Sequence, residues 1–211
     1  MEAIRSKSAL LYDEVRQALQ SGRYIPGERI DPTTLAREFH ISPTPVRIAL
    51  SRLVGEGMIE DHAREGLHVP LATEATLRDH YDWMQRLLLM ACDIGFEQAE
   101  QTPEQSGPPI ADPESDIVTP TRRLFEAIAL GTGHVSLHRA VRQTNDKLGP
   151  IRMAKRGLFK NAVEELAGIH QAWIKRDVSA LRSAVVDYHE RRVRLVPGII
   201  GIVNKVPTWA Q

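Results

Sequence analysis

The chain has 211 residues and a mass of 23.6 kDa, room for one large domain or two small ones. Lys and Arg (27) balance Asp and Glu (27), so the formal net charge is zero. That excludes a polycation that coats nucleic acid by charge alone and an acidic disordered chain, and it leaves a local basic face open.

The single cysteine, Cys92, excludes an intramolecular disulfide and a cysteine-rich zinc cage, and points to a reducing compartment. The opening residues lack the apolar core and cleavage pattern of a signal peptide. The longest apolar runs, 87–92 and 196–203, fall far short of the roughly 20 residues a membrane helix needs. The expectation is a cytoplasmic chain that does not engage a membrane.

Three helices are predicted within residues 1–72. The first, 9–20, carries Leu11, Val15 and Leu19 as one apolar stripe, with Gly22 as its stop. Pro26 and Gly27 suit the centre of a type II turn. Asp31 before Pro32 is an N-cap with Pro at the first helical position. The helix it opens should bury Leu35, Ala36 and Phe39 and end near His40. Ser42-Pro43 repeats the signal for a third helix to about Glu56, with Val46, Leu50 and Leu53 inward. Two short strands, 58–60 and 67–69, flank a loop holding Arg64, Glu65 and Gly66.

From Thr73 the pattern turns to long helices, expected over 73–98, 121–130, 134–147, 158–175 and 179–196. Residues 101–120, rich in Pro, Gly, Ser and acids, read as a solvated loop. The end, with Pro197, Gly198, Gly201 and Pro207, reads as irregular. The predicted fold is mainly α. A winged helix-turn-helix of three helices and a two-stranded wing occupies 1–72, and an all-α bundle for effector binding and dimerisation occupies 73–211.

Two capped helices around a tight turn, with the second short enough to enter a major groove, suit double-stranded DNA. The start of that second helix, with Ser42, Thr44, Pro45 and Arg47, offers hydroxyls, a cation and no acid. Its free N–H groups and dipole favour phosphate. Arg52 lies nearer the backbone side. Arg64 and Gly66 sit at the wing tip, where a long cation reaches a phosphate or the minor groove. These are the candidate DNA-binding residues. No nucleophile–base pair, phosphate loop or paired-carboxylate motif points to an enzyme, and no catalytic residue is assigned.

Several separate stretches occur in one order and spacing: Ile25-Pro26-Gly27-Glu28, Leu35-Ala36, Ser42-Pro43-Thr44-Pro45-Val46-Arg47-Ile48-Ala49-Leu50, Glu56-Gly57-Met58-Ile59 and Gly66-Leu67-His68-Val69. In them the chain resembles the GntR family of bacterial transcription regulators. The resemblance implies a homodimer on a short palindromic operator, contacted by Ser42, Thr44 and Arg47 with help from the wing near Gly66. Two departures stand out. Pro43 and Thr33 occupy places where the family often has Arg, each a lost phosphate or base contact.

Over 74–100 and 119–196 the chain resembles the FadR-type effector domain of that family, the FCD domain, best around Phe125, Glu126, Gly133 and His134. The resemblance implies a metal, held by an Asp and His of this stretch and two further His, beside a small carboxylate. Here the Asp place is Arg122 and the His place Glu126, and a guanidinium has no lone pair to give. His189 falls where the last His belongs. His170 precedes it on the previous helix, with Glu165 and Leu166 as alternatives. Apolar Met84 and Leu88 stand where Arg and Glu are usual.

The resulting expectation is an effector pocket with no metal cofactor. Met84 and Leu88 form its wall, Arg122 offers an anion a fixed charge, and Glu126 and His189 lie beside it. Divalent metal through His134 and His138, at i and i+4, or through Glu126, His170 and His189, stays open as the other arrangement. The functional expectation is a homodimeric repressor modulated by a small-molecule effector. The alternative is a DNA-binding regulator with a degenerate pocket, controlled by a partner protein or not at all.

Overall fold

Helix α1 (Lys7–Gln20) buries Leu11, Tyr12, Val15 and Leu19, the stripe that its spacing dictates. The computed structural model describes residues 7–20, 23–24, 26–96, 117–154 and 161–204; Gly22, Pro207 and residues 97–98, 101–116 and 158–160 of the expected elements lie outside them. Two units are resolved by contact, Met1–Ala72 with Val203–Gln211, and Thr73–Ile202.

In the first unit, Asp31 opens α2 (Pro32–Glu38). Its Oδ1 accepts from the Thr33 N–H at 2.9 Å and its Oδ2 from the Thr34 hydroxyl at 2.8 Å. These bonds hold its carboxyl below the usual carboxylate range. Phe39 caps the helix end and is half-buried rather than buried as expected. His40 then turns the chain with φ 51°, a left-handed conformation that costs a residue with a side chain about 1–2 kcal/mol. Helix α3 (Pro43–Gly55) sends Val46, Ala49, Leu50 and Leu53 into a core completed by Ile30, Met58, Ile59 and Val69.

The wing differs from its prediction. Its strands are β2 (Glu60–His62) and β3 (Gly66–His68), and a third, β1 (Arg29–Ile30), pairs with β3. The order is β1-β3-β2, all antiparallel, with Arg29 opposite His68 and His62 opposite Gly66. Met58 and Ile59 lie outside the ladder and are buried in the core. The Met58 N–H bonds the Leu53 carbonyl at 3.0 Å, closing α3 before β2 begins. A two-residue strand such as β1 has no periodicity to read. It is set by the Gly27 N–H to Val69 carbonyl bond (2.8 Å) and the Val69 N–H to Glu28 carbonyl bond (2.9 Å).

The second unit begins with α4 (Glu74–Ile94). Thr73 and Thr76 exchange side-chain to backbone bonds of 3.1 Å in a capping box. Then follow α5 (Val118–Leu130), α6 (Val135–Ala154), α7 (Ala162–Ile174), α8 (Val178–Arg194) and α9 (Val196–Val203). Helix α4 packs against α5, α6 and α8, and α7 packs on α8. No described helix is long and apolar enough to cross a membrane.

Two expectations are corrected here. Helix α6 does not stop at Lys147 but continues through Gly149 and Pro150. An interior Pro removes a helical bond and costs about 3 kcal/mol. The added turns bury Leu148 and Ile151, and full burial of an aliphatic side chain returns about 1.5–3 kcal/mol each. The expected irregular end is helical from 196 to 203. Pro197 falls in the first turn, where an N–H has no helical acceptor. Val196 and Ile199 face the core while Gly198 and Gly201 face out. Replacing Ile199 by Ala should therefore lower stability by about 2–4 kcal/mol in urea unfolding. A change within 0.5 kcal/mol, the usual scatter of surface substitutions, would place that face outside the core.

Candidate nucleic-acid interface and charged helical core

Burial of one stripe of α3 leaves the other stripe no choice. At 100° per residue, Thr44, Arg47, Ile48 and Ser51 share an arc of about 100°, opposite the buried residues, and all four are exposed. Ser42 is exposed too. It is the N-cap by backbone (φ −71°, ψ 159°) but makes no side-chain cap bond. Pro45 is half-buried. The phosphate-binding helix end expected here is reduced: of the first three helical residues only Thr44 has an N–H, because 43 and 45 are prolines.

Arg52 is occupied within the unit. Its Nε lies 3.2 Å from Glu56 Oε1, and its guanidinium carbon stands 3.8 Å from the Tyr12 ring centroid. The Tyr12 hydroxyl donates to Glu56 Oε2 at 2.6 Å. Burial, and then that bond to a carboxylate, push the Tyr12 hydroxyl's pKa up. The trio ties α1 to the end of α3.

On the wing, Arg64 is exposed in the turn between β2 and β3, which the Glu65 N–H closes onto the His62 carbonyl at 3.0 Å. Gly66 has φ +87°, which a side chain disfavours. A Cβ there would stand 3.7 Å from Arg29 Nε, so β1 brings Arg29 beside the wing glycine. Sequence reasoning missed Arg29 because it missed β1. Among the described residues no carboxylate pairs with Arg29, Arg47 or Arg64.

In the helical unit, Met84 and Leu88 are fully buried. Arg122, expected to offer an anion a fixed charge, is itself paired with two carboxylates. Its Nε is 2.9 Å from Glu126 Oε1 and its Nη2 3.0 Å from buried Asp146 Oδ1. His189 is fully buried, and its Nδ1–H donates to the Val185 carbonyl at 2.7 Å, against the rings of Tyr188 and Phe125. His134 is exposed, and His138 and His170 are half-buried, the latter with its pKa lowered by burial. Among the described residues no group of three or more His, Cys, Asp or Glu side chains is placed to hold a metal. The donor set does not fit the metal of the resembling domain: a guanidinium stands at one ligand position and holds the carboxylate at the next. Cys92 is buried and its thiol pKa is pushed up, the behaviour of a small hydrophobe.

The cation that stands out is one the sequence reading did not select. Arg152, on the last turn of α6, is 2% exposed. Its Nη1 donates to Asn145 Oδ1 at 2.8 Å, and its guanidinium carbon lies 5.5 Å from the Phe125 ring centroid. Among the described residues, Nε and Nη2 have no hydrogen-bond acceptor. Burial pushes its pKa down. Arg192, as deeply buried, is served differently. It donates to Glu165 Oε2 and to the Tyr188 carbonyl, both at 2.7 Å, and lies 3.2 Å over the Tyr188 ring. The signal for Arg152 was present: Val141, Asn145, Leu148 and Arg152 fall at i, i+4, i+7 and i+11, one inward stripe.

Residues 7–69 match the family model for bacterial regulatory proteins, gntR family. The Nta operon transcriptional regulator of Aminobacter aminovorans is 34% identical over 82 residues, 37% of this chain and 39% of that protein. The uncharacterized HTH-type transcriptional regulator YdhC of Bacillus subtilis (strain 168) is 27% identical over 90 residues, 43% of this chain and 40% of that one. The matched stretch thus spans about two-fifths of the length of these relatives. Among solved structures, E. coli McbR/YncC has a TM-score of 0.74 at 17% identity, covering 92% of this chain and 99% of its own. A GntR transcriptional regulator from Rhodococcus sp. RHA1 has a TM-score of 0.75 at 16% identity, with the same coverage. At such identities the structures establish the fold. Both sequence relatives carry the name of transcriptional regulators. Residues 7–69 are thus similar to the gntR family of bacterial regulatory proteins, and the chain as a whole shares its helical fold with these solved structures.

Proposed function

We propose that the chain is a cytoplasmic transcription regulator that binds a palindromic operator as a homodimer, represses from it, and releases it in response to a small anionic effector. The observation that carries the DNA-binding part is the exposed, acid-free face of α3, with Thr44 and Arg47 outward in a matched gntR domain. Arg47 is the reader of base edges, and Ser42, Thr44, Pro45, Arg64 and Gly66 position the duplex. Arg29 joins them, while Arg52 serves the fold. Homodimerisation follows from the family resemblance and from the two-fold symmetry of a palindrome.

The effector reading rests on Arg152. Among the described residues no carboxylate pairs with Arg152; a buried guanidinium in that position is costly, and an anion relieves that cost by pairing with it. Phe125 lies beside Arg152 and packs on His189; this reading keeps Met84 and Leu88 as the apolar wall and Arg122 with Glu126 as a framing ion pair. The resembling FCD domain is assigned here on the same footing, without its metal. The full burial of Met84 and Leu88 favours the second reading, a regulator with no small-molecule input, controlled by a partner protein or not at all.

For the DNA reading, Arg47→Ala should weaken operator binding by about 1–3 kcal/mol in fluorescence anisotropy, the range for one good base contact. Unchanged affinity in a folded Arg47→Ala protein would remove the residue from the interface. Arg52→Ala should instead leave affinity within a few-fold and lower stability by about 1 kcal/mol, the scale of an exposed cation–π contact with its ion pair. For the effector reading, a panel of small carboxylates and inorganic phosphate is scored by melting temperature. A matching anion at about 100 times its Kd adds about 2.7 kcal/mol, on the order of 5 °C here. Arg152→Met should melt no lower than the parent without ligand and lose that rise. A saturable rise that survives in Arg152→Met would move the site elsewhere, and no rise with any anion would leave the partner-controlled reading.

A further inference from the structure

Ile48 is the large apolar residue on the outward face of α3, and it is 56% exposed. Its neighbours on that arc are Thr44, Arg47 and Ser51, all exposed and polar. The inward stripe of the same helix is complete without it, since Val46, Ala49, Leu50 and Leu53 are all at least 99% buried. Two physical preferences oppose an isoleucine at such a place. A β-branched side chain is a poorer helix former than Lys, Arg, Gln or Glu, and its apolar surface is left in water. A residue that is unfavourable in the free protein on both counts is suited to a surface that is covered during function.

The groove read by this face contains one apolar group at base-edge depth, the C5-methyl of thymine, which aliphatic side chains contact. Arg47 precedes Ile48 by one residue, and the uncharged hydroxyls of Thr44 and Ser51 flank it. The face therefore carries a cation for phosphate or guanine and, beside it, an aliphatic surface.

We propose that Ile48 reads a 5-methylpyrimidine, a thymine methyl beside the base pair contacted by Arg47, and so sets part of the operator preference. This rests on the DNA-binding reading above and goes beyond it, because it names a specificity residue and the group it recognises. Discrimination comes from desolvating two facing apolar groups. It therefore depends on the methyl and not on the hydrogen-bonding edge of the base, which thymine and uracil share.

The test uses the full chain and a random-sequence duplex library. Sequences retained by the protein are enriched, and in one enriched duplex each thymine is replaced in turn by deoxyuridine. The expected result is one position per half-site where loss of the methyl weakens binding about three- to tenfold, the scale of one buried methyl group. Ile48→Ala, which removes no core contact, should bind the thymine and deoxyuridine duplexes equally while still enriching the remaining positions. Equal binding of all duplexes by the parent protein, or a methyl effect that persists in Ile48→Ala, overturns the proposal and leaves the DNA-binding reading intact. No enrichment by a protein that is folded by circular dichroism overturns both.

Discussion

A helix loses its freedom to rotate once one stripe is buried, and in this protein that constraint acts on α3. Val46, Leu50 and Leu53 are essentially inaccessible to water. At about 2 kcal/mol each, their burial is worth on the order of 6 kcal/mol, comparable with the whole stability of a small domain. Turning α3 by a third of a revolution would forfeit most of it. The orientation of Thr44, Arg47, Ile48 and Ser51 is therefore a consequence of core packing, not of any contact they make themselves.

Secondary contacts hold that orientation at both ends of the helix. At its start, His40 accepts a left-handed conformation so that α2 and α3 can be joined by a short turn. At its end, Arg52, Glu56 and Tyr12 clamp α3 to α1. The clamp uses a cation that sequence position alone assigns to DNA. Two prolines at the helix start fix its backbone but remove two phosphate donors. In this domain backbone rigidity and anion binding draw on the same N–H groups, and the sequence favours rigidity.

The helical unit is organised by where its charges find partners. Arg122 takes Glu126 and Asp146, and Arg192 takes Glu165. Each of these cations is neutralised locally, so neither attracts a further anion strongly. Arg152 is the contrast, with an amide oxygen as its hydrogen-bond acceptor among the described residues. It reaches the interior because α6 passes through Pro150, and α6 passes through Pro150 because Leu148 and Ile151 have core to fill. A packing decision thus places the charge on which the effector reading turns.

Elements announced by local chemistry were legible from the sequence by itself. The Asp31-Pro32 and Thr73 caps, the stripe Leu11-Val15-Leu19 and the run from Ser42 to Leu53 all act within one or two helical turns. The family resemblance of residues 7–69 rides on those same local signals. The candidate reading face was legible for the same reason, since Arg47 and Thr44 lie opposite residues that any core would bury. The tertiary structure alone decided what depends on partners distant in sequence. Strand β1 exists because Val69 comes to Gly27 and Glu28. Helix α9 and the extension of α6 exist because cores accept their apolar faces against the local preference of Gly and Pro. The fates of Arg52, Arg122 and Arg152 were hidden likewise, because a side chain's charge is fixed by its chemistry while its partner is fixed by packing.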